Sequence, residues 1–453
     1  MRSGLVWLLA FLALPAAGAP LLVHPAFRRY GLPCRTALAA GVGAVALSFV
    51  MTLAALAGVA WGILWLVTVS MAVSALLRAP LGSEAEDPEA SQPGPRSARR
   101  LSITISGLSA AAAVYAALTA SATSADLFLF WGPKAEAFAA ARTIDAAFLR
   151  APLHPYMHPD YPPLVTNVFA FATMLAGRFP WGASTLAFPL VTAGLALALP
   201  GLLGAGRPRD PAFGVSALVI AATSLLGIAL NVAGNGDTIL LFFEVSAAAL
   251  LTGPDAGRGS RLLLAGMFLA GAASAKVEGL VFVVAAAALF LLLDRRARTP
   301  RAASLLLLPT GVSLLAWFAF GTRNRLFGFY EGYASFFSLH WESLPLILRT
   351  LAGELSSVAW GLPFLLPIAV LLAAPGRSRS AWIPLGSAVL LSAFFVFTYL
   401  HSNYLLVEWI GWSAGRIYTP VAALLALAAM PATATARSVP RETARPARAP
   451  GGA

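Results

Sequence analysis

One cysteine, Cys34, in 453 residues leaves nothing from which to build a disulfide framework. Charge is scarce as well: 11% of residues are Asp, Glu, Lys or Arg, against roughly a quarter in an ordinary soluble domain. With 59% of residues hydrophobic, a soluble fold of this length has no means of hiding its apolar surface. Lysine is nearly missing. Of 31 basic residues only Lys134 and Lys276 are lysines, and the rest are arginine. No run of alternating apolar and polar residues suggests a transmembrane β-barrel. No phosphate-cradling loop ends in Gly-Lys-Ser/Thr, and neither His-Glu-x-x-His nor Gly-x-Ser-x-Gly occurs. No fixed-period repeat is present. The net charge of +12 does not point to nucleic acid, because the cations lie between apolar runs, where they set membrane orientation.

What is present is a series of apolar runs of about 20 residues, the length an α-helix needs to cross a hydrocarbon core. Backbone groups in lipid must be satisfied within the segment, so these runs are helices. They lie near 4–22, 37–56, 60–77, 101–122, 182–204, 212–230, 238–253, 262–275, 279–293, 303–320, 355–374, 381–400 and 416–430. The expected fold is all-α, a polytopic transmembrane bundle of about thirteen spans, placing the protein in a cell membrane of the bacterial inner or plasma type. Residues 1–78 form an N-terminal three-span extension and 79–100 a flexible polar linker. Residues 101–430 form the main transmembrane module, and 431–453 a disordered basic tail. Ala17-Gly18-Ala19 resembles a signal-peptide cleavage site; we read the segment as a retained first span. The short pair at 262–275 and 279–293 suits a hairpin.

Residues 164–178 are apolar but short, and Asn167 interrupts them. If they do not cross, the loops 23–35, 78–100, 205–211, 254–261, 294–302, 375–380 and 431–453 share one face and hold 21 of the 31 basic residues. That asymmetry is the signature of a cytoplasmic face. We therefore expect 164–178 to be re-entrant or to lie along the interface. The opposite face then receives His154, His158, His340, His401, Asp126, Asp160, Asp237, Lys276, Glu278, Glu408 and Arg416. A chemically diverse, arginine-poor face suggests an extracytoplasmic site.

Within that face, Asp126 begins the long loop 123–163, and a carboxylate at a membrane edge is costly unless paired, hydrated or functional. Phe130, Phe138 and Ala141 recur at helical spacing, with Lys134 and Arg142 on another face. This suits an interfacial helix whose aromatic side meets lipid. Pro133 starts or kinks it. Lys134 and Lys276, each near an acid (Glu136, Glu278), stand where a compact point charge replaces the flat guanidinium fork. His154 and His158-Pro159-Asp160-Tyr161-Pro162-Pro163 form a rigid polar stretch. A divalent metal is conceivable there, but proton handling or hydrogen bonding to a polar substrate fits better, and no cofactor is expected. Asp237 follows Gly234-Asn235-Gly236, and Lys276-Val277-Glu278 interrupts an apolar run, each charge being the other's natural partner. Arg416 sits at the outer end of the last span, where it can meet a phosphate.

The order of these elements resembles the GT-C superfamily of membrane glycosyltransferases, nearest the protein mannosyltransferase and lipid A aminoarabinose transferase group, over about residues 101–430. Asp126 matches the loop aspartate. His158-Pro159-Asp160-Tyr161-Pro162-Pro163-Leu164 is similar to a Glu-Lys-Pro-Pro-Leu stretch, and Gly236-Asp237-Thr238 to an Asp-before-span motif. Ala275-Lys276-Val277-Glu278-Gly279 is similar to a Lys-x-x-Gly element, and Arg416-Ile417-Tyr418-Thr419-Pro420 to a late Arg-Tyr-x-x-Pro. Leu127 stands where the family often has a second acid, and Tyr161 where it has lysine. The resemblance implies a sugar carried on a polyprenyl phosphate, an unidentified acceptor, surrounding membrane lipids and no nucleic acid. It implies Asp126 as catalytic base or orienting group. Lys134, His158, Asp160, Tyr161, Asp237, Lys276, Glu278 and Arg416 would bind substrate or donor, with Lys134, Lys276 and Arg416 holding the phosphate. The alternative is a transporter or lipid flippase with Asp237, Lys276 and Glu278 as a relay. A non-catalytic membrane scaffold is a third class, and it predicts tolerance of changes at Asp126, Lys134 and Lys276.

Overall fold

The computed structural model describes residues 2–82, 126–151, 158–203, 234–253, 256–294, 298–327, 339–357, 361–373, 379–401 and 405–429, with isolated positions before 126. The expected spans at 101–122 and 212–230, most of the linker, His154 and the basic tail lie outside the described residues. Those described form helices and connecting turns, with no strand among them.

The helices are α1 (Arg2–Ala10), α2 (Ala13–Leu22), α3 (Leu32–Leu56), α4 (Ile63–Leu76), α5 (Gly132–Ala141), α6 (Leu164–Ala176), α7 (Ala187–Leu202), α8 (Asp237–Thr252), α9 (Gly259–Ala275), α10 (Val277–Leu293), α11 (Pro300–Arg323), α12 (Leu344–Leu355), α13 (Gly361–Ala373), α14 (Trp382–Leu400), α15 (Leu406–Ile417) and α16 (Thr419–Ala429). Among the described residues, six helical stretches are long and apolar enough to cross a membrane: Arg2–Leu22, Leu32–Leu56, Ile63–Leu81, Trp181–Leu199, Pro300–Arg323 and Arg379–Leu400. Five more apolar helices, including α9, α10 and α16, are shorter. The protein is thus a membrane-embedded helical protein.

Arginine closes several of these helices. A helix leaves its last four carbonyls without intrahelical donors, and a guanidinium fork reaches several at once. The buried Arg261 bonds the carbonyl oxygens of Ala249 at 2.8 Å and Leu250 at 2.5 Å on α8, and of Leu202 at 3.1 Å on α7. Arg298 does the same for Leu291 and Leu292 of α10. Interhelical packing rests on small residues instead. A Cβ on Gly43 of α3 would stand 1.9 Å from the Leu14 carbonyl oxygen, and one on Gly18 of α2 would stand 2.0 Å from that of Ala39. The two backbones touch. The first three apolar segments share the common core: α3 packs against α7, α9, α11 and α6.

Loops assigned to the same face meet one another. On the arginine-rich side His24 bonds the Gly82 carbonyl, Arg78 that of Pro20 and Arg301 that of Pro80. On the other side Trp61 bonds the Arg142 carbonyl at 2.8 Å, Arg323 that of Leu56 at 2.8 Å and His340 that of Leu400 at 3.0 Å. Helix α6 starts and ends on this second side. Near its start the Asp160 carbonyl accepts from Trp317, close to the C-terminal end of α11. Beyond its end Arg178 bonds Ser3 at the start of α1. It is a buried helix rather than a lipid-facing one. Asn167 Nδ2 donates to the Ser48 carbonyl, Ser48 Oγ and Thr52 Oγ1, each at 3.2 Å.

Two expectations need correction. The aromatic side of α5 does not face lipid: Phe130, Trp131 and Phe138 are buried in protein, and Lys134 is buried with them. Phe130, Lys134 and Phe138 are spaced by four residues, which puts the lysine on the aromatic face. Between the expected spans 303–320 and 355–374, and between 381–400 and 416–430, the chain also holds more than loops, because α12 and α15 are amphipathic helices that pack on each other.

Candidate functional site

Five ionisable residues from four distant parts of the sequence converge at the arginine-poor ends of the helices. Asp237 and Glu278 each sit in the first turn of a helix, and Arg416 in the last turn of another. These are the ends where the helix dipole favours each sign. Lys276 occupies the break between α9 and α10 with an extended backbone, φ −153° and ψ 162°. Asp126 precedes a π-helical turn, Leu127–Trp131, which runs into α5.

The contacts form a chain. Arg416 Nη1 donates to Asp126 Oδ2 at 2.9 Å and stands 3.8 Å from Asp237 Oδ2. Lys276 Nζ donates to Asp237 Oδ1 at 2.8 Å and lies 3.4 Å from Glu278 Oε1. Asp237 and Lys276 are almost wholly buried. Asp237 Oδ2, Glu278 Oε2 and Arg416 Nε have no hydrogen-bond partner. Three carboxylates thus face two cations, with unused polar atoms left over. Burial pushes Asp126 above the usual carboxylate range, against the pull of Arg416 and Lys276.

A second cluster lies alongside. Lys134 Nζ donates to the His158 carbonyl oxygen at 2.9 Å and lies 5.5 Å and 5.6 Å from the Phe130 and Trp131 ring centroids. Burial brings Lys134 down to about 7, against the opposing field of Asp160. The His158 ring stacks on Tyr161 with centroids 4.4 Å apart. Burial, then the cations Lys134, Lys276 and Arg416, bring His158 down to about 3. Proton handling by His158 near neutral pH is therefore disfavoured. Its φ of +45° is a left-handed conformation that non-glycine residues rarely adopt. Lys134 does not pair with Glu136, which points outward.

Trp131 joins the clusters. It is wholly buried, and its Cζ2 lies 2.9 Å from where a Gly236 Cβ would stand, a position also 3.5 Å from Lys276 Cδ. Only glycine admits the indole there. Trp131 Nε1 has no partner, so a donor is held ready beside the network. Among the described residues no group of three or more His, Cys, Asp or Glu is arranged to hold a metal ion.

Of the nine expected site residues, Asp126, Asp237, Lys276, Glu278 and Arg416 come together as one network. Lys134, His158 and Tyr161 form the aromatic cluster beside it. Asp160 is placed through its backbone carbonyl, which accepts from Trp317 at 3.2 Å. Sequence reasoning missed Glu244. It lies in the apolar run of α8, seven residues after Asp237 and so on the same helical face, and it is completely buried. An acid inside a span was the available signal.

Comparison with protein-family models, with curated proteins and with solved structures finds no match for this chain.

Proposed function

We propose that the protein is an integral membrane glycosyltransferase of GT-C-like architecture, moving a sugar from a polyprenyl-phosphate donor to an acceptor on the arginine-poor face. The convergence of Asp126, Arg416, Asp237 and Lys276 in one partly open network carries the proposal. Glycosyl transfer from a lipid phosphate needs a base or orienting group for the acceptor hydroxyl and cations for the departing phosphate. Here both stand within one chain of ion pairs.

In this mechanism the acceptor oxygen attacks the anomeric carbon and gives its proton to Asp126. The bond between that carbon and the phosphate oxygen breaks, and the lipid phosphate leaves with the electron pair. Arg416 and Lys276 stabilise the charge that develops. A positioned base contributes typically ~10²–10⁴-fold. Lys134 takes a supporting role, tying the 158–161 stretch to α5 through the His158 carbonyl. The pairing of Asp237 and Glu278 with Lys276 also favours a second reading, a transporter or flippase that relays charge.

The test is transfer from radiolabelled polyprenyl-phosphate sugars into membrane material. Membranes would carry the wild-type chain, Asp126→Asn or neither. Incorporation that requires both the protein and Asp126 supports the enzyme. With folded, abundant protein and no incorporation from any donor, the transporter reading takes its place.

A further inference from the structure

We propose that Glu244 is a proton-binding site: an undissociated carboxylic acid stored in the bundle interior beneath the ion-pair network. The inference is independent of the glycosyltransferase reading.

Glu244 has 0% exposure, and neither carboxyl oxygen meets a hydrogen-bond donor. It sits near the middle of α8, whose sixteen residues are nearly all buried. Seven residues separate it from Asp237, about 10 Å along the helix axis and on the same face. The charged groups whose fields act on it are Glu278, Asp237 and Lys276. Of the helices packed on α8, neither α7 nor α16 carries an ionisable side chain, and α9 supplies only Arg261, at its far end. Helix α10 supplies Glu278, α14 supplies Tyr399, and the short turn Arg379–Ala381, which also packs on α8, supplies the exposed Arg379.

Among the described residues no cation bonds Glu244. Lys276 is already shared by Asp237 and Glu278, and Arg416 by Asp126 and Asp237. The network carries one excess negative charge when all its members are ionised. An ionised Glu244 would add a second, in a fully buried position and with no donor to either oxygen. An isolated buried carboxylate is so costly that such a group neutralises instead. The ligand that satisfies Glu244 is a proton, and its occupancy sets the charge beneath the network.

Infrared spectroscopy of the purified full-length chain in detergent tests this. The carbonyl stretch of an undissociated carboxylic acid is expected at neutral pH in the wild type. It is expected to be missing or reduced in Glu244→Gln, which keeps shape and removes the acid. Mapping of adducts formed by a hydrophobic carbodiimide, which attacks protonated carboxyls in apolar surroundings, gives support from the wild-type chain alone if Glu244 is modified. A wild-type spectrum with no undissociated-acid band at neutral pH overturns the proposal without any variant. An unchanged band in folded Glu244→Gln overturns it too.

Discussion

Arg416 and Asp126, 290 residues apart in the chain, meet through one hydrogen bond of 2.9 Å from Nη1 to Oδ2. The same nitrogen stands 3.8 Å from Asp237 Oδ2. One guanidinium at the end of α15 therefore faces two of the three acids of the network. Replacing it leaves three carboxylates facing one cation. Breaking a buried pair by removing one partner costs about 3–5 kcal/mol. The Arg416 side chain keeps 21% exposure, so Arg416→Gln is expected near the lower end of that range. Arg416→Lys should recover only part of the loss, because a compact ammonium on a different stem does not reproduce the placement of the guanidinium nitrogen between the two acids. Thermal unfolding in detergent compares the three proteins.

Asp126 lends itself to a pH test. Burial lifts its acid above the ordinary 3.8, so the folded protein holds a proton there over a window in which the unfolded chain has released it. Stability from this group is present at low pH and lost as pH rises through that window. The melting temperature of Asp126→Asn relative to wild type should rise over the same interval. If Asp126 is the base, the acid limb of the transfer rate should also sit above the usual carboxylate range. Parallel melting profiles would remove the titration from Asp126.

Lys134 behaves in the opposite sense. Its ammonium, ordinarily losing its proton near 10.5, does so near 7 in the folded protein. The cost of burying the charge is present below about 7 and fades as pH climbs towards 10.5, because only the unfolded chain is then protonated. Lys134→Met keeps length and drops the charge. Its melting temperature relative to wild type should be higher at pH 6 than at pH 10. An equal difference at both would show that Lys134 carries no titrating charge in this range.

The contact between α2 and α3 makes a stability prediction free of charge. Gly43→Ala drives a methyl against the Leu14 carbonyl at 1.9 Å, backbone that cannot swing aside. Separating packed helices in this way costs typically about 1–3 kcal/mol. Gly311, inside α11, has nothing within 4 Å of its Cβ position. Gly311→Ala should be neutral, or gain up to about 1 kcal/mol from helix propensity. Equal losses in the two variants would mean that α2 and α3 do not touch as described.

How much could be read beforehand follows the range of each interaction. Apolar runs reveal helices because the backbone has no partner in lipid but itself. Charge in the loops sorts the faces because it acts loop by loop. The list of chemically interesting residues is legible too: every member of the network is a charge at the edge of an apolar run, and Lys276 and Glu278 are read from the sequence as partners. Glu244 was overlooked because a single acid barely changes the hydropathy of α8. The buried setting of α5 was also hidden. An aromatic stripe looks the same whether it meets lipid or protein.

The sequence by itself determined that this is a helical membrane protein, which of its faces is basic, and which side chains hold charge at the other. Those facts depend on composition along short stretches of chain and on the dielectric contrast between lipid and water. Only the tertiary structure decided that Asp126, Asp237, Lys276, Glu278 and Arg416 share one network, that Lys134 lies outside it, and that Trp131 fills the space that Gly236 leaves open. Those relations depend on how helices far apart in sequence cross, and the packing of small residues against one another sets those crossings.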